Sequence, residues 1–299
     1  MSHGYNTSPI FLYQTHKFFP SHINQVALPH FHLKLLPWFH PKSLLKPHKS
    51  GFPIYPSCSV KNSFIWTATE IAEAVQGRIL RWGPPGSVCT DTRNLESTQW
   101  FFAIKGEKFD AHQFVTPELS QRGCVGVIGN RVCKNWDKGF VQINGDTLVS
   151  LINMANYARE KFLGTLIGVT GCTGKTTTKA MIALCLEGLD EVYQSHGNWN
   201  NRIGVALSLI GLPRSTRVAI LEMGMSRKGE ILELAKMGRP NVRVILNVGA
   251  SHLENFGSLE EVAMAKGEIL EEAMPGDVVV LNADDPLVMG LHVPRGVKK

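Results

Sequence analysis

The sequence predicts an α/β protein: a small α/β domain followed by a larger one on a mainly parallel sheet. Three observations predict it. At residues 165–187 a short apolar run leads directly into a glycine turn and then a helical pattern. Beyond it, further short apolar runs alternate with helical patterns, the signature of parallel strands covered on both faces. Ahead of both, an acid-free leader gives way near Phe64 to ordinary globular texture. A chain of 299 residues has room for two domains and a sizeable core.

Residues 1–58 form the leader. Seven of the eleven histidines and eight prolines, Pro9 to Pro56, lie there, and the first acid of the chain is Glu70. The prolines exclude long regular structure. An acid-poor, serine-containing start reads as an organellar transit peptide of the chloroplast kind, although it lacks arginine. A disordered tail and a histidine-rich metal tract are the other readings.

The net charge of +6 invites a nucleic-acid reading, which its distribution removes. Of 31 basic and 25 acidic side chains, six lysines and no acid fall within residues 1–69, so the remainder balances. Charge therefore offers no argument for a nucleic-acid face on the folded part, and none is expected. No apolar run reaches the roughly 18 residues of a membrane span. The six cysteines show no CxxC pair and fit a reducing compartment.

The first domain is placed at residues 60–162. Thr69 to Val75 has helical spacing, with Thr67 or Thr69 as cap and Gly77 as stop. Strand candidates are Trp100–Ile104, Gly123–Ile128 and Phe140–Ile143. A helix is expected from Phe114 to Gln121 and another from Thr147 to Phe162. Asp91, Thr92 and Arg93 offer an acceptor, a hydroxyl and a bidentate cation suited to phosphate or carboxylate. Alone they read as a surface turn with an ion pair, and His112 alone reads as a surface histidine.

The second domain is placed at residues 163–299. Its strands are expected at 166–169, 192–195, 217–224, 242–248 and 277–282, and its helices at 175–187, 228–237 and 258–273. Gly171-Cys172-Thr173-Gly174-Lys175-Thr176-Thr177 between the first strand and helix is a phosphate-binding loop. Backbone N–H groups and the helix dipole favour an anion, Lys175 adds charge, and Thr176 offers a hydroxyl to Mg²⁺. The common form of this loop has a glycine where this chain has Val169, so TGxxGKTTT is a narrower variant.

In a parallel sheet, ligands bind at the carboxyl ends of the strands. Glu222, His252 and the loop are expected to converge there, with Glu222 on Mg²⁺. The bland readings are a cap or ion pair for Glu222 and a solvated helix face for Lys266.

These pieces together resemble the Mur ligase family. The loop TGCTGKTTT matches the family variant. More specific are Gly197-Asn-Trp-Asn-Asn-Arg-Ile-Gly204, Leu221-Glu-Met-Gly-Met-Ser-Arg-Lys-Gly-Glu-Ile231, and His252-Leu-Glu-Asn-Phe-Gly-Ser258 with Ala265-Lys-Gly-Glu268. The set is similar to the branch that joins D-alanyl-D-alanine to UDP-N-acetylmuramoyl-tripeptide. In the first domain, Thr90-Asp-Thr-Arg93 and the turn Lys105 to His112 agree, with Ala111 where a glycine is usual.

The resemblance covers residues 64–299 and implies ATP-dependent amide formation through an acyl phosphate, in peptidoglycan precursor synthesis. It implies a uridine-nucleotide domain followed by an ATPase domain. Lys175 would neutralise the β- and γ-phosphates, while Thr176 and Glu222 would hold one Mg²⁺. His252 and a carbamylated Lys266 would serve a second. Asn282 would meet adenine, and Asn198 and Asn201 would line the junction of ATP and the peptide carboxylate. Asp91, Thr92 and Arg93 would sit with the UDP-sugar. The family's Rossmann-like C-terminal domain is not in this sequence, so the chain is expected to be a truncated form with weak or no ligase activity alone. The alternatives are a binding or assembly module, or another ligase of the superfamily.

Overall fold

The computed structural model describes residues 64–188, 191–251 and 253–299. The leader and His252 lie outside the described residues.

Helix α1 (Ala68–Val75) is capped by Thr67, whose side chain accepts from the Glu70 N–H while Glu70 accepts from the Thr67 N–H. It ends at Gln76, which takes the left-handed conformation at φ 52°, one residue before the predicted stop at Gly77. Strands β1 (Arg78–Arg81) and β2 (Ser87–Cys89) follow, then β3 (Gln99–Phe102), which is buried throughout. The helix expected across Phe114–Gln121 is instead a 3-10 turn at Ala111–Phe114 and a short helix, α2 (Pro117–Gln121). The break is at Pro117, which starts a helix but cannot continue one and disfavours helical geometry just before it. Strands β4 (Gly126–Gly129) and β5 (Gly139–Gln142) complete a five-stranded sheet. Its order is β1-β5-β4-β3-β2, with β1 antiparallel and the rest parallel.

Helix α3 (Thr147–Lys161), capped by the Asp146 carboxylate, leads into β6 (Thr165–Thr170) and α4 (Lys175–Leu186). Then come β7 (Val192–Gln194), α5 (Arg202–Ile210), β8 (Val218–Glu222), α6 (Glu230–Gly238), β9 (Val242–Ile245), α7 (Leu259–Gly267), β10 (Val278–Leu281) and α8 (Pro286–Met289). The second sheet runs β10-β9-β6-β8-β7, parallel at every pairing. The expected helix 258–273 is α7 followed by a 3-10 turn at Glu268–Leu270. The expected strand 242–248 stops at Ile245, because Asn247 turns toward the phosphate loop.

Alternate strand residues face opposite sides, and both sides are covered. Ile167, Val169, Ile220 and Val244 pack with Ala183 of α4. Leu166, Ala219, Leu221 and Ile245 join a larger cluster that runs through Leu151, Val205 and Leu209 to Trp66 and Trp100. Polar ties follow the same path. The Trp66 indole N–H donates to Ile210 O at 3.0 Å, and Arg159 donates to Gly238 O at 2.6 Å and Arg239 O at 2.9 Å. Among the described residues no helix is long and apolar enough to cross a membrane.

Candidate functional site

All five strands of the second sheet point the same way, so the loops after β6, β7, β8, β9 and β10 share its carboxyl edge. The phosphate loop leaves β6 at Thr170 and enters α4 at Gly174, whose φ of 79° puts it in left-handed space that suits glycine. Asn247 holds the loop in shape. Its side-chain oxygen accepts from the Cys172 and Thr173 N–H groups, both at 3.0 Å, and its amide donates to Thr173 O at 3.2 Å. Those two N–H groups are therefore committed to the protein. The donors left for an anion are the N–H groups that open α4, which have no partner within the helix. Lys175 folds back over the loop and donates to Gly171 O at 2.8 Å and Cys172 O at 3.3 Å.

Below the loop lies Glu222, the last residue of β8, in register with Val169 of β6 and buried. Its two oxygens are used differently. Oε2 accepts from the Thr176 hydroxyl at 2.8 Å, and Oε1 accepts from the Asn200 amide at 2.8 Å. Lys179, one turn along α4, approaches Oε2 at 3.7 Å. Mg²⁺ takes oxygen ligands in a near-regular octahedron at roughly 2.0–2.1 Å, so adjacent ligands stand roughly 2.9 Å apart. The 2.8 Å between Thr176 Oγ and Glu222 Oε2 fits neighbouring positions of such a shell. Among the described residues no three His, Cys, Asp or Glu side chains gather around a metal position. A hard ion completed by phosphate oxygens and water suits this donor set better than a closed protein cage.

Lys266, on α7, is buried rather than on a solvated face. Burial pulls its pKa down, the Cys172 thiol beside it opposes that, and the Lys175 charge adds to the lowering. A lowered lysine pKa favours the neutral amine, the form that reacts with carbon dioxide. Cys172 also meets the next loop, donating to Gly249 O at 3.3 Å and accepting from the Gly249 N–H at 3.0 Å.

The Gly197–Asn201 cluster divides its work. Asn198 is exposed. Asn201 caps α5, its side chain accepting from the Gly204 N–H at 2.9 Å. Asn200, not predicted, is the member that touches Glu222. Its backbone oxygen accepts from the Gly224 N–H at 2.8 Å, and a Cβ at Gly224 would stand 2.8 Å from the Asn200 side chain. Asn282, just past β10, donates to Leu246 O at 2.9 Å and accepts from the Asp284 N–H at 3.1 Å.

The first sheet carries a second polar edge, at the carboxyl ends of β2, β3 and β4. Arg93 grips Asp91 through Nε at 2.9 Å and Nη2 at 2.7 Å, and Arg122 donates to Thr92 O at 2.7 Å. Among the described residues these bonds stay within the first sheet's own loops. His112 is not a surface residue: its Nδ1 meets Asp110 at 2.5 Å and its Nε2 accepts from the Asn130 N–H at 2.8 Å. Burial would raise the Asp110 pKa, but hydrogen bonds from His112 and Arg131 outweigh it and hold the carboxyl at about 2.

Sequence reasoning passed over three contributors. Asn247 lies inside a run read as strand, and Lys179 has the look of a helix-face lysine. Asn200 is one of three asparagines within residues 198–201, of which the sequence reading takes Asn198 and Asn201 instead. For Lys179 a usable signal was present, because it stands three residues after Thr176 and so on nearly the same face of α4.

Residues 169–295 match the family model of the Mur ligase middle domain. The chain is 40% identical over 233 residues to UDP-N-acetylmuramoyl-tripeptide–D-alanyl-D-alanine ligase of Bacillus subtilis (strain 168), a match covering 76% of this chain and 50% of that one. Crystal structure I of MurF from Acinetobacter baumannii superposes with a TM-score of 0.69 at 32% identity, covering 77% of this chain and 51% of the other. The MurF ligase of Thermotoga maritima in complex with ADP superposes with a TM-score of 0.61 at 32% identity, covering 71% and 49%. The chain spans about half the length of the curated relatives it matches.

Proposed function

We propose that this chain, a Mur ligase homologue carrying that family's middle domain over residues 169–295, works in the ATP-dependent joining of UDP-N-acetylmuramoyl-tripeptide to D-alanyl-D-alanine. The observation that carries this reading is the Thr176–Glu222 contact at 2.8 Å beneath a phosphate loop. It supports a nucleotide–Mg²⁺ centre of the kind that activates a carboxylate. The T. maritima homologue with ADP supports the choice of nucleotide.

In this reading the substrate carboxylate attacks the γ-phosphorus of ATP, and the bridging P–O bond breaks to release ADP. The incoming amine then attacks the acyl carbon of the resulting acyl phosphate, losing a proton and displacing inorganic phosphate. Both reactants are anionic, so positioning and charge neutralisation carry the rate. The loop Gly171 to Thr177 binds the phosphates, through the N–H groups that open α4 rather than those of Cys172 and Thr173. Lys175 exchanges its loop carbonyls for the β- and γ-phosphate oxygens. Thr176 and Glu222 hold one Mg²⁺, with Asn200 fixing the other carboxylate oxygen, and His252 and a carbamylated Lys266 serve the second. When bound, Mg²⁺ supplies neutralisation of the transferring phosphoryl group.

Asn282 lies beside the adenine. Asn198 and Asn201 border the peptide carboxylate, Asn201 through the amide that its capping oxygen leaves over. Asp91, Thr92 and Arg93 take the UDP-sugar. Residues 1–58 serve as a chloroplast address, which a fluorescent fusion of residues 1–65 that stays cytosolic would reject.

The test is ATP binding together with D-alanyl-D-alanine-dependent phosphate release. Release that needs both UDP-N-acetylmuramoyl-tripeptide and the dipeptide supports the ligase reading. Nucleotide binding without release supports a binding module instead, and absence of both removes the proposal.

A further inference from the structure

We propose that Lys179 is a positioning residue that locks the asparagine loop, residues 195–201, to the metal-binding edge of the sheet. The inference rests on the ligase reading for what the lock serves, and on contacts of Lys179 alone for its existence. Lys179 is buried at 2% exposure, on the helix that the phosphate loop opens. Its ammonium donates to Gly197 O at 2.6 Å and Ser195 O at 2.8 Å, with Ser195 Oγ at 3.4 Å and Glu222 Oε2 at 3.7 Å. An ammonium has three N–H donors, and two are spent on backbone oxygens of one loop. The third faces the Ser195 hydroxyl and the Glu222 carboxylate. No donor remains for a nucleotide, which separates Lys179 from Lys175 and makes it a residue that acts through others.

The loop it holds is also attached to the end of β8 through backbone bonds, Ser195 N–H to Ile220 O at 2.9 Å and Gly224 N–H to Asn200 O at 2.8 Å, and through side chains. Ser195 Oγ accepts from the Glu222 N–H at 3.2 Å, and Asn200 reaches Glu222 Oε1 at 2.8 Å. Lys179 thus ties α4, the end of β8 and the asparagine loop at one point. Burying an ammonium is costly unless it is paired and its donors are satisfied. Here the cost is met by one carboxylate and two carbonyls, so the loop cannot leave without stranding the charge. The expected result is that Asn200, and with it the unused faces of Asn198 and Asn201, stay in place whether or not nucleotide is bound.

The experiment compares wild type with Lys179→Met in the full chain by amide hydrogen exchange without nucleotide. Loss of the lock raises exchange at residues 196–201 by about ten-fold or more and leaves the first sheet and α6 unchanged. The second measurement is ADP affinity with and without Mg²⁺. The gain that Mg²⁺ confers falls by about 10- to 100-fold, the usual cost of losing a ligand's supporting contact, while metal-free ADP binding is retained. Lys179→Gln, shorter and uncharged, is read where the methionine variant does not fold, and the same pattern is expected.

Unchanged protection at 196–201, or a loss spread evenly over the second sheet, overturns the proposal. Wild type that gains nothing from Mg²⁺ removes the ligase reading, while the exchange result still decides the role of Lys179.

Discussion

The Thr176 hydroxyl donates to Glu222 Oε2 at 2.8 Å, joining the start of α4 to the end of β8 across the mouth of the sheet. The two residues are 46 positions apart in sequence, and the parallel register of β6 and β8 brings them together. Glu222→Gln keeps the shape and removes the charge that a divalent ion needs. ADP affinity measured by calorimetry is expected to lose its Mg²⁺-dependent gain by about ten-fold or more, with metal-free affinity unchanged. An equal loss with and without Mg²⁺ counts against a metal role.

Asn247 supports the loop from the neighbouring strand. Asn247→Ala strips the acceptor from the Thr173 N–H and leaves the Cys172 N–H only the Asn247 backbone oxygen at 3.1 Å. The expected cost is about 1–3 kcal/mol of stability by chemical denaturation, together with weaker binding of ADP in the absence of metal. The pattern differs from that of Glu222→Gln, which leaves metal-free binding intact.

Gly224 is a space device. In Gly224→Ala the new methyl meets the Asn200 side chain at 2.8 Å, and Asn200 must swing away from Glu222. Stability is expected to change by less than about 1 kcal/mol, since the displaced group is a side chain. The Mg²⁺-dependent gain in ADP affinity is expected to fall, and a variant with wild-type metal dependence would show that Asn200 does not support Glu222.

Thr170 lies at the root of the phosphate loop with its hydroxyl buried and unpaired. Thr170→Val replaces it with a methyl of similar shape. A gain of about 1 kcal/mol in stability is expected, because an unsatisfied buried hydroxyl is costly. A loss on denaturation would place a partner on that oxygen.

Asp110 gives the first sheet a pH signature. Its carboxyl is held at about 2, below the ordinary 3.8, with His112 and Arg131 as the partners. A lowered carboxyl contributes stability that is complete above the unfolded value and drains as pH falls through the folded one. Wild type is therefore expected to lose stability from about pH 4 to about pH 2 more steeply than Asp110→Asn, as followed by urea midpoints. Parallel curves would mean that the pair adds nothing.

The parallel second sheet was legible because its strands are runs such as Val218–Glu222, apolar until the final residue. That exception is itself a signal, since a carboxylate closing a buried strand has few bland uses. The first sheet was harder to read. β1 is an Arg-Ile-Leu-Arg edge exposed at three of four positions, and β2 has three residues, so neither carries a pattern of period two. Within the site, the residues that face a ligand declared themselves through the loop motif. Those that hold them, Asn247, Asn200 and Lys179, did not. Their roles depend on which strands lie side by side, and that is a property of the sheet rather than of any local spacing.

The apolar cluster that runs without a break from Trp66 and Trp100 through Leu151 and Val205 to Leu221 and Ile245 bears on how the protein comes apart. Neither sheet buries its inner face alone; each lends side chains to the other's interior through α3 and α5. The two halves therefore melt together, and calorimetry of the chain should record one cooperative endotherm for residues 64–299 rather than two. A core lesion beside the first sheet, such as Trp66→Ala, would lower the temperature at which the phosphate loop is lost.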